Sequence, residues 1–258
     1  GFALTSTILV LNQIGEGQVD SWLWPLAILG VVSAFLFVFW IKNKQEPFIN
    51  VNVLKPPMVR AGSYIIIVSY LATFSSMVVI PFYLRGILDL SSSMSGLLLM
   101  SYPLLLAITG PISGSFSDRF GSYLVVLVGL VLMLISLVGL SMLSFHTPIV
   151  VVIILLCLLG LSMGILTTPN YSLLMGYVPI QYLSFMTSTI AVLRNLGMVM
   201  GTALGATFIN LFAEGSVTEG LLANNQEDAN GFLLGVSSFF LFVATLTIVV
   251  IIYLVMKN

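Results

Sequence analysis

Apolar runs of about twenty residues, one after another, leave this chain few ways to fold. They occupy 22–41, 62–84, 94–113, 123–143, 148–170, 190–212 and 232–255, with a shorter one at 1–14. A helix rises about 1.5 Å per residue, so each long run is enough to cross a hydrocarbon layer of about 30 Å. Transmembrane strands are about half that length and alternate in polarity, which these runs do not. Lipid offers no partners for backbone N–H and C=O groups, and helices satisfy them internally. Composition agrees, since 59% of the 258 residues are hydrophobic and only 7% charged, too little polar surface to clothe a soluble globule. The expected fold is all-α, a polytopic membrane helix bundle of eight apolar segments with the first one truncated.

A net charge of −1, with no block of Lys or Arg, argues against a nucleic-acid partner. The single Cys157 lies within an apolar run and supports neither an intrachain disulfide nor a metal site. No metal and no cofactor are expected. The chain opens directly in an apolar segment, without the basic flank of a signal peptide, and is read as the C-terminal portion of a longer protein.

Alternate loops of a helical bundle lie on opposite sides of the bilayer, and short cytoplasmic loops collect Lys and Arg. Lys42, Lys44, Lys55, Arg60, Arg119, Lys257 and the membrane-edge Arg194 fall on one side, and Arg85 alone on the other. That places the loop 114–122 and the C-terminus in the cytoplasm of a cell whose plasma or inner membrane holds the protein. The hydrophilic connection from Lys42 to Arg60, with Pro47, Pro56 and Pro57, is the expected domain boundary. It separates two membrane helices with their cytoplasmic connection, 1–61, from a six-helix unit, 62–258. Trp22 and Trp24 serve as interfacial anchors of the second segment.

Gly110-Pro111-Ile112-Ser113-Gly114-Ser115-Phe116-Ser117-Asp118-Arg119-Phe120-Gly121 is the place where an adjacent acid and base interrupt the apolar background. Gly114 and Gly121 are expected to bracket a tight turn, with Asp118 capping the first free amides of the next helix and pairing with Arg119 or a base on a neighbouring helix. The spacing Gly-x-x-x-Asp-Arg-x-Gly resembles the loop signature of the major facilitator superfamily, the large family of solute transporters. In that family the signature joins the second and third helices of a six-helix half on the cytoplasmic side. Two bases usually follow its last Gly, where Ser122 and Tyr123 stand here.

Within the spans, Gly197, Gly201 and Gly205 recur every fourth residue, and Gly160 and Gly164 repeat the device. Such columns let neighbouring backbones approach and are more often packing seams than ligand sites. Pro81, Pro103, Pro111 and Pro169 each free a carbonyl and bend a helix, either around a substrate or merely for packing. Polar side chains inside a membrane need a partner or a water-filled cavity. Tyr102, Asn170, Tyr171, Arg194 and Asn195 are therefore the candidate substrate path. Arg194, one turn into its span, meets an anionic substrate, a carboxylate from the missing N-terminal half, or the inner headgroups. No Asp, Glu or His lies near the middle of a span, and His146 is a loop residue. If transport is proton-coupled, the carboxylate belongs to the N-terminal half.

Further stretches resemble one branch of the same superfamily, the fourteen-helix drug:proton antiporters. They are Ile80-Pro81-Phe82-Tyr83-Leu84, Gly96-Leu97 with Pro103, Gly160 to Pro169, and Leu193-Arg194-Asn195-Leu196-Gly197. Arg85 departs from the Gln common after the Tyr-Leu pair. The resemblance implies two linker helices, at 1–14 and 22–41, ahead of the C-terminal six-helix half. It also implies alternating access, with Gly114, Asp118, Arg119 and Gly121 as a conformational hinge. The partners it implies are a small-molecule substrate, a drug or other amphiphile, together with protons and the lipid bilayer. Two rival classes lack their signatures. An intramembrane enzyme needs a nucleophile and base at matching depth, and there is no Gly-x-Ser-x-Gly or His-Glu-x-x-His. A channel subunit needs a polar filter or re-entrant segment, and none is visible. No enzyme activity is expected, and the residues do not identify the substrate.

Overall fold

The computed structural model describes residues 51–212 and 226–257. The segments 1–14 and 22–41, the tryptophan anchors, Lys42, Lys44 and most of the acidic loop 213–230 lie outside the described residues. Contacts divide the chain into two units, Gly1–Val53 and Leu54–Asn258, and the helices named here all belong to the second. They are α1 (Pro57–Gly86), α2 (Ser92–Leu99), α3 (Ser101–Phe120), α4 (Ser122–Ser141), α5 (Ile149–Gly176), α6 (Leu183–Phe212) and α7 (Gln226–Lys257). No strand occurs among the described residues. Six helical stretches, α2 and α3 counting as one, are long and apolar enough to cross a membrane, so this is a multi-pass membrane protein with an all-α bundle.

Pro57 opens α1 in the first turn, where a missing N–H costs nothing. Ser91 caps α2 by accepting from the Met94 amide at 3.3 Å. Met100 separates α2 from α3, and the cause is local: Pro103 cannot donate to the Leu99 carbonyl, while Ser101 Oγ bonds the Leu98 carbonyl at 2.6 Å. α1 packs on α6, α5 packs on α3 and α4, and α7 lies against α4 and α1. Leu130, Met133 and Leu137 of α4, Phe239 and Phe240 of α7, and Tyr83 of α1 are fully buried between them. The Tyr83 hydroxyl donates to the Ser144 carbonyl at 2.7 Å and ties α1 to the α4–α5 connection.

Two boundaries differ from the sequence expectation. The polar stretch 171–188, between the apolar runs 148–170 and 190–212, is mostly helical and not all connection, because α5 runs on to Gly176 and α6 starts at Leu183 rather than near 190. The hydroxyls that make the stretch look hydrophilic turn back onto their own helices: Thr187 on the Leu183 carbonyl, Ser188 on Ser184 and Thr189 on Phe185, at 3.0, 3.1 and 2.9 Å. A hydroxyl spent on an i−4 carbonyl leaves the helix intact.

Candidate functional site

Gly121 alone makes the turn between α3 and α4, at φ 84° and ψ 143°. That region of backbone space is open essentially only to glycine. Ser117 and Ser122 clasp the turn from either side, their hydroxyls 2.8 Å apart. Gly114 does not bracket the turn, since α3 continues unbroken through it to Phe120. Asp118 does not cap α4 either: it sits exposed in the last turn of α3, and no side chain caps the start of α4. Neither Asp118 nor Arg119 has an ionic partner among the described residues. Adjacent residues on a helix point away from each other, which keeps the two apart. The negative end of the α3 dipole favours Arg119 there and disfavours Asp118.

The glycine columns lie where backbones meet. A Cβ at Gly197 would fall 2.6 Å from the Ile67 carbonyl oxygen, one at Gly201 would collide with the Leu71 carbonyl, and one at Gly205 would stand 3.4 Å from Ser75 Cβ. α6 thus follows α1 turn by turn. On the other side, Gly160 faces the Tyr102 carbonyl and Gly164 faces Thr109, joining α5 to α3. Ser113 Oγ reinforces that seam with a 3.0 Å bond to the Gly164 carbonyl.

A polar cluster sits beside the α1–α6 seam. The hydroxyls of Tyr70 on α1 and Tyr171 on α5 are 3.3 Å apart. The Arg194 guanidinium of α6 acts on the Tyr171 hydroxyl both as a charge and as a donor. Tyr102 of α3 points its hydroxyl at Thr73 and lies within electrostatic reach of Tyr70. The Thr73 Oγ1 is buried and makes no hydrogen bond of proper geometry. Four helices therefore converge on one set of hydroxyls and one cation. Arg194 is well inside its helix. It lies roughly 16 Å along the axis from Leu183, about three turns in, because α6 begins earlier than the hydropathy suggests.

Asn170 and Asn195 stand apart from this cluster. Asn170 is 1% exposed and donates from Nδ2 to the Gly62 carbonyl at 3.0 Å, pinning α5 to α1, while its Oδ1 has no partner. Asn195 is exposed and lies about 160° round the helix from Gly197, away from the α1 seam. Tyr70 and Thr73 were not among the sequence candidates. Each is embedded in the long apolar run of α1, and only their spacing of three residues places both on one helix face. A separate cavity of about 500 Å³ opens between α3, α4 and α5, lined by Ile112, Phe116, Phe120, Leu124 and Val128 among others. Its walls are apolar, and it shares no residue with the cluster.

Six apolar spans with a small polar cluster among them make a polytopic helical membrane protein. The chain belongs to the Major Facilitator Superfamily, whose family model matches residues 63–257. It is 30% identical over 207 residues to the riboflavin transporter RibZ of Clostridioides difficile, covering 80% of this chain and 45% of that protein. It is 25% identical over 202 residues to the lincomycin resistance protein LmrB of Bacillus subtilis, covering 77% and 42%. It is 22% identical over 206 residues to the multidrug resistance protein Stp of Mycobacterium tuberculosis, covering 78% and 37%. The chain spans less than half the length of these relatives.

Proposed function

We propose that this chain is the C-terminal portion of a fourteen-helix drug:proton antiporter, exporting amphiphilic small molecules across the cell membrane by alternating access. The observation that carries the reading is the convergence of Tyr70, Tyr102, Tyr171 and Arg194 from four helices onto one polar site in an otherwise apolar unit. A guanidinium in mid-helix and an unsatisfied buried hydroxyl are costly in a bilayer and are kept where they meet a solute or a water-filled path. In this reading 1–61 supplies two linker helices with their cytoplasmic connection, and 62–258 is one of two six-helix halves. The bias of Lys and Arg puts the Gly121 turn and the C-terminus in the cytoplasm. Asp118 and Arg119, unpartnered at that turn, are the charges available to meet the other half in one of its two states. The carboxylate that carries the proton lies in the N-terminal half.

Everted membrane vesicles containing the full-length protein test this directly. Energised vesicles are expected to accumulate a fluorescent dye, and a protonophore to abolish the accumulation. Passive flux insensitive to the protonophore would defeat the coupling. A second reading, a facilitator-type carrier for a flavin, is favoured by the similarity to RibZ. Riboflavin movement without dye export would select it.

A further inference from the structure

We infer that the Tyr70–Tyr171–Arg194 cluster selects solutes in which an anionic group is attached to an aromatic ring, and discriminates against organic cations. This rests on the reading of the cluster as the solute site and names the class of solute it takes. Arg194 lies well inside the span of α6, with its side chain exposed rather than covered by a neighbouring helix. Its interaction within the described residues is with the Tyr171 hydroxyl, a neutral group that leaves the positive charge uncompensated. The acids among the described residues sit at or just beyond helix ends. Asp89 is in the turn after α1, Asp118 is in the last turn of α3, and Glu227 and Asp228 are at the start of α7.

An organic cation entering this site finds a guanidinium and hydroxyl groups, and no carboxylate in mid-span among the described residues to balance it. An anion finds the planar fork of Arg194, which matches a carboxylate or sulfonate with two parallel N–H donors. The Tyr70 and Tyr171 hydroxyls share one bond between them, so one of the two protons is free to be donated to the solute. Tyr102 and the orphaned Thr73 Oγ1 extend the same wall towards α3, with a further hydroxyl that lacks a partner. The phenol rings supply faces and edges for an aromatic body. Charge recognition and ring recognition therefore fall within one cluster.

Two xanthene dyes that share a ring system but differ in charge, anionic fluorescein and cationic rhodamine 123, separate the contributions. Equilibrium binding to purified full-length protein in detergent, read by fluorescence polarisation, needs no gradient and no turnover. The wild type is expected to bind fluorescein at least tenfold tighter than rhodamine 123. Arg194→Gln should lose about tenfold or more of the fluorescein affinity, as expected for a charge-assisted hydrogen bond. Rhodamine 123 binding should be unchanged or tighter in that variant, and Arg194→Lys should recover part of the fluorescein loss. Tyr171→Phe, which keeps the ring and removes the donor, should weaken fluorescein severalfold, and it decides the matter if Arg194→Gln does not fold. Tighter binding of rhodamine 123 by the wild type, binding of neither dye, or equal loss of both dyes in the Gln and Lys variants would overturn the assignment. Energised export, measured separately in vesicles, tells whether the protein pumps at all, so failure of the transporter reading and failure of the anion reading give different results.

Discussion

The spans of α1, α4 and α5 differ from those of α3 and α6 in a way opposite to what lipid exposure would produce. The first three are strongly apolar and, with α7, hold the buried core, whereas the α2–α3 and α6 spans are the least apolar of the six and also the least buried. A helix facing lipid should be the most apolar of the set. That inversion fits helices turned towards the solute path and the second half proposed above. Hydrogen bonding divides the same way. On the covered side, Ser136 bonds the Leu155 carbonyl at 2.9 Å, Tyr83 bonds Ser144, and Asn170 bonds Gly62. On the uncovered side, Asp118 and Arg119 have no partner and Arg194 has only a neutral one among the described residues. The charged groups left without an ionic partner thus sit on α3 and α6, although Ser113 of α3 and the glycines of α6 also help to fix the bundle.

Substitutions should respect that division. The largest effect is expected for Gly201→Leu, because the new Cβ meets the Leu71 backbone carbonyl, which cannot rotate out of the way. A cost of roughly 3 kcal/mol or more, read as a lowered melting temperature and lost monodisperse protein, follows from overpacking. Wild-type melting would show that α1 and α6 are not held this closely. Asp118→Asn should act on the other side of the comparison. Removing a negative charge from the C-terminal turn of α3 relieves an adverse dipole interaction, so stability should hold or rise by about 0.3–1 kcal/mol. Efflux at equal membrane level should nevertheless fall tenfold or more, by the proposed hinge role. Unchanged efflux would remove Asp118 from the mechanism, and lost expression would move it to the structural side.

Ser136→Ala deletes one inter-helix hydroxyl bond and should cost about 1 kcal/mol in thermal stability with transport per folded molecule unchanged. A transport defect there would blur the division between the two sets of helices. Gly205→Ala is the mildest case. Its Cβ would meet Ser75 at 3.4 Å, near the edge of ordinary contact, so an effect within about 0.5 kcal/mol is expected. If it destabilises as much as Gly201→Leu, the seam tightens along its whole length rather than at one turn.

The sequence revealed the spans more clearly than their ends. Continuous apolar runs located the six membrane-length helices of 62–258, since nothing else can carry such runs. The α5–α6 boundary was hidden because Thr187, Ser188 and Thr189 look like loop residues while bonding their own helix. Arg194 was visible as an unusual charge, yet its place along the helix depended on that boundary, and the helix begins before the apolar run does. Asp118 resembled a cap because a Gly follows it, but only Gly121 leaves the helix. Tyr70 and Thr73 carried no local signal at all. They became site residues through contacts with α3 and α5, which spacing along one helix does not encode.

The single-residue connection at Gly121 has a mechanical consequence. A loop of five or six residues absorbs twist, and each helix it joins can then turn about its own axis. One residue, clasped by Ser117 and Ser122, has almost no compliance. Torque applied to α3 is passed to α4 with little loss, so the pair behaves as one bent lever rather than two rods. A rearrangement that begins at the exposed face of α3 would then reach, through α4, the Leu130, Met133 and Leu137 side chains buried in the core.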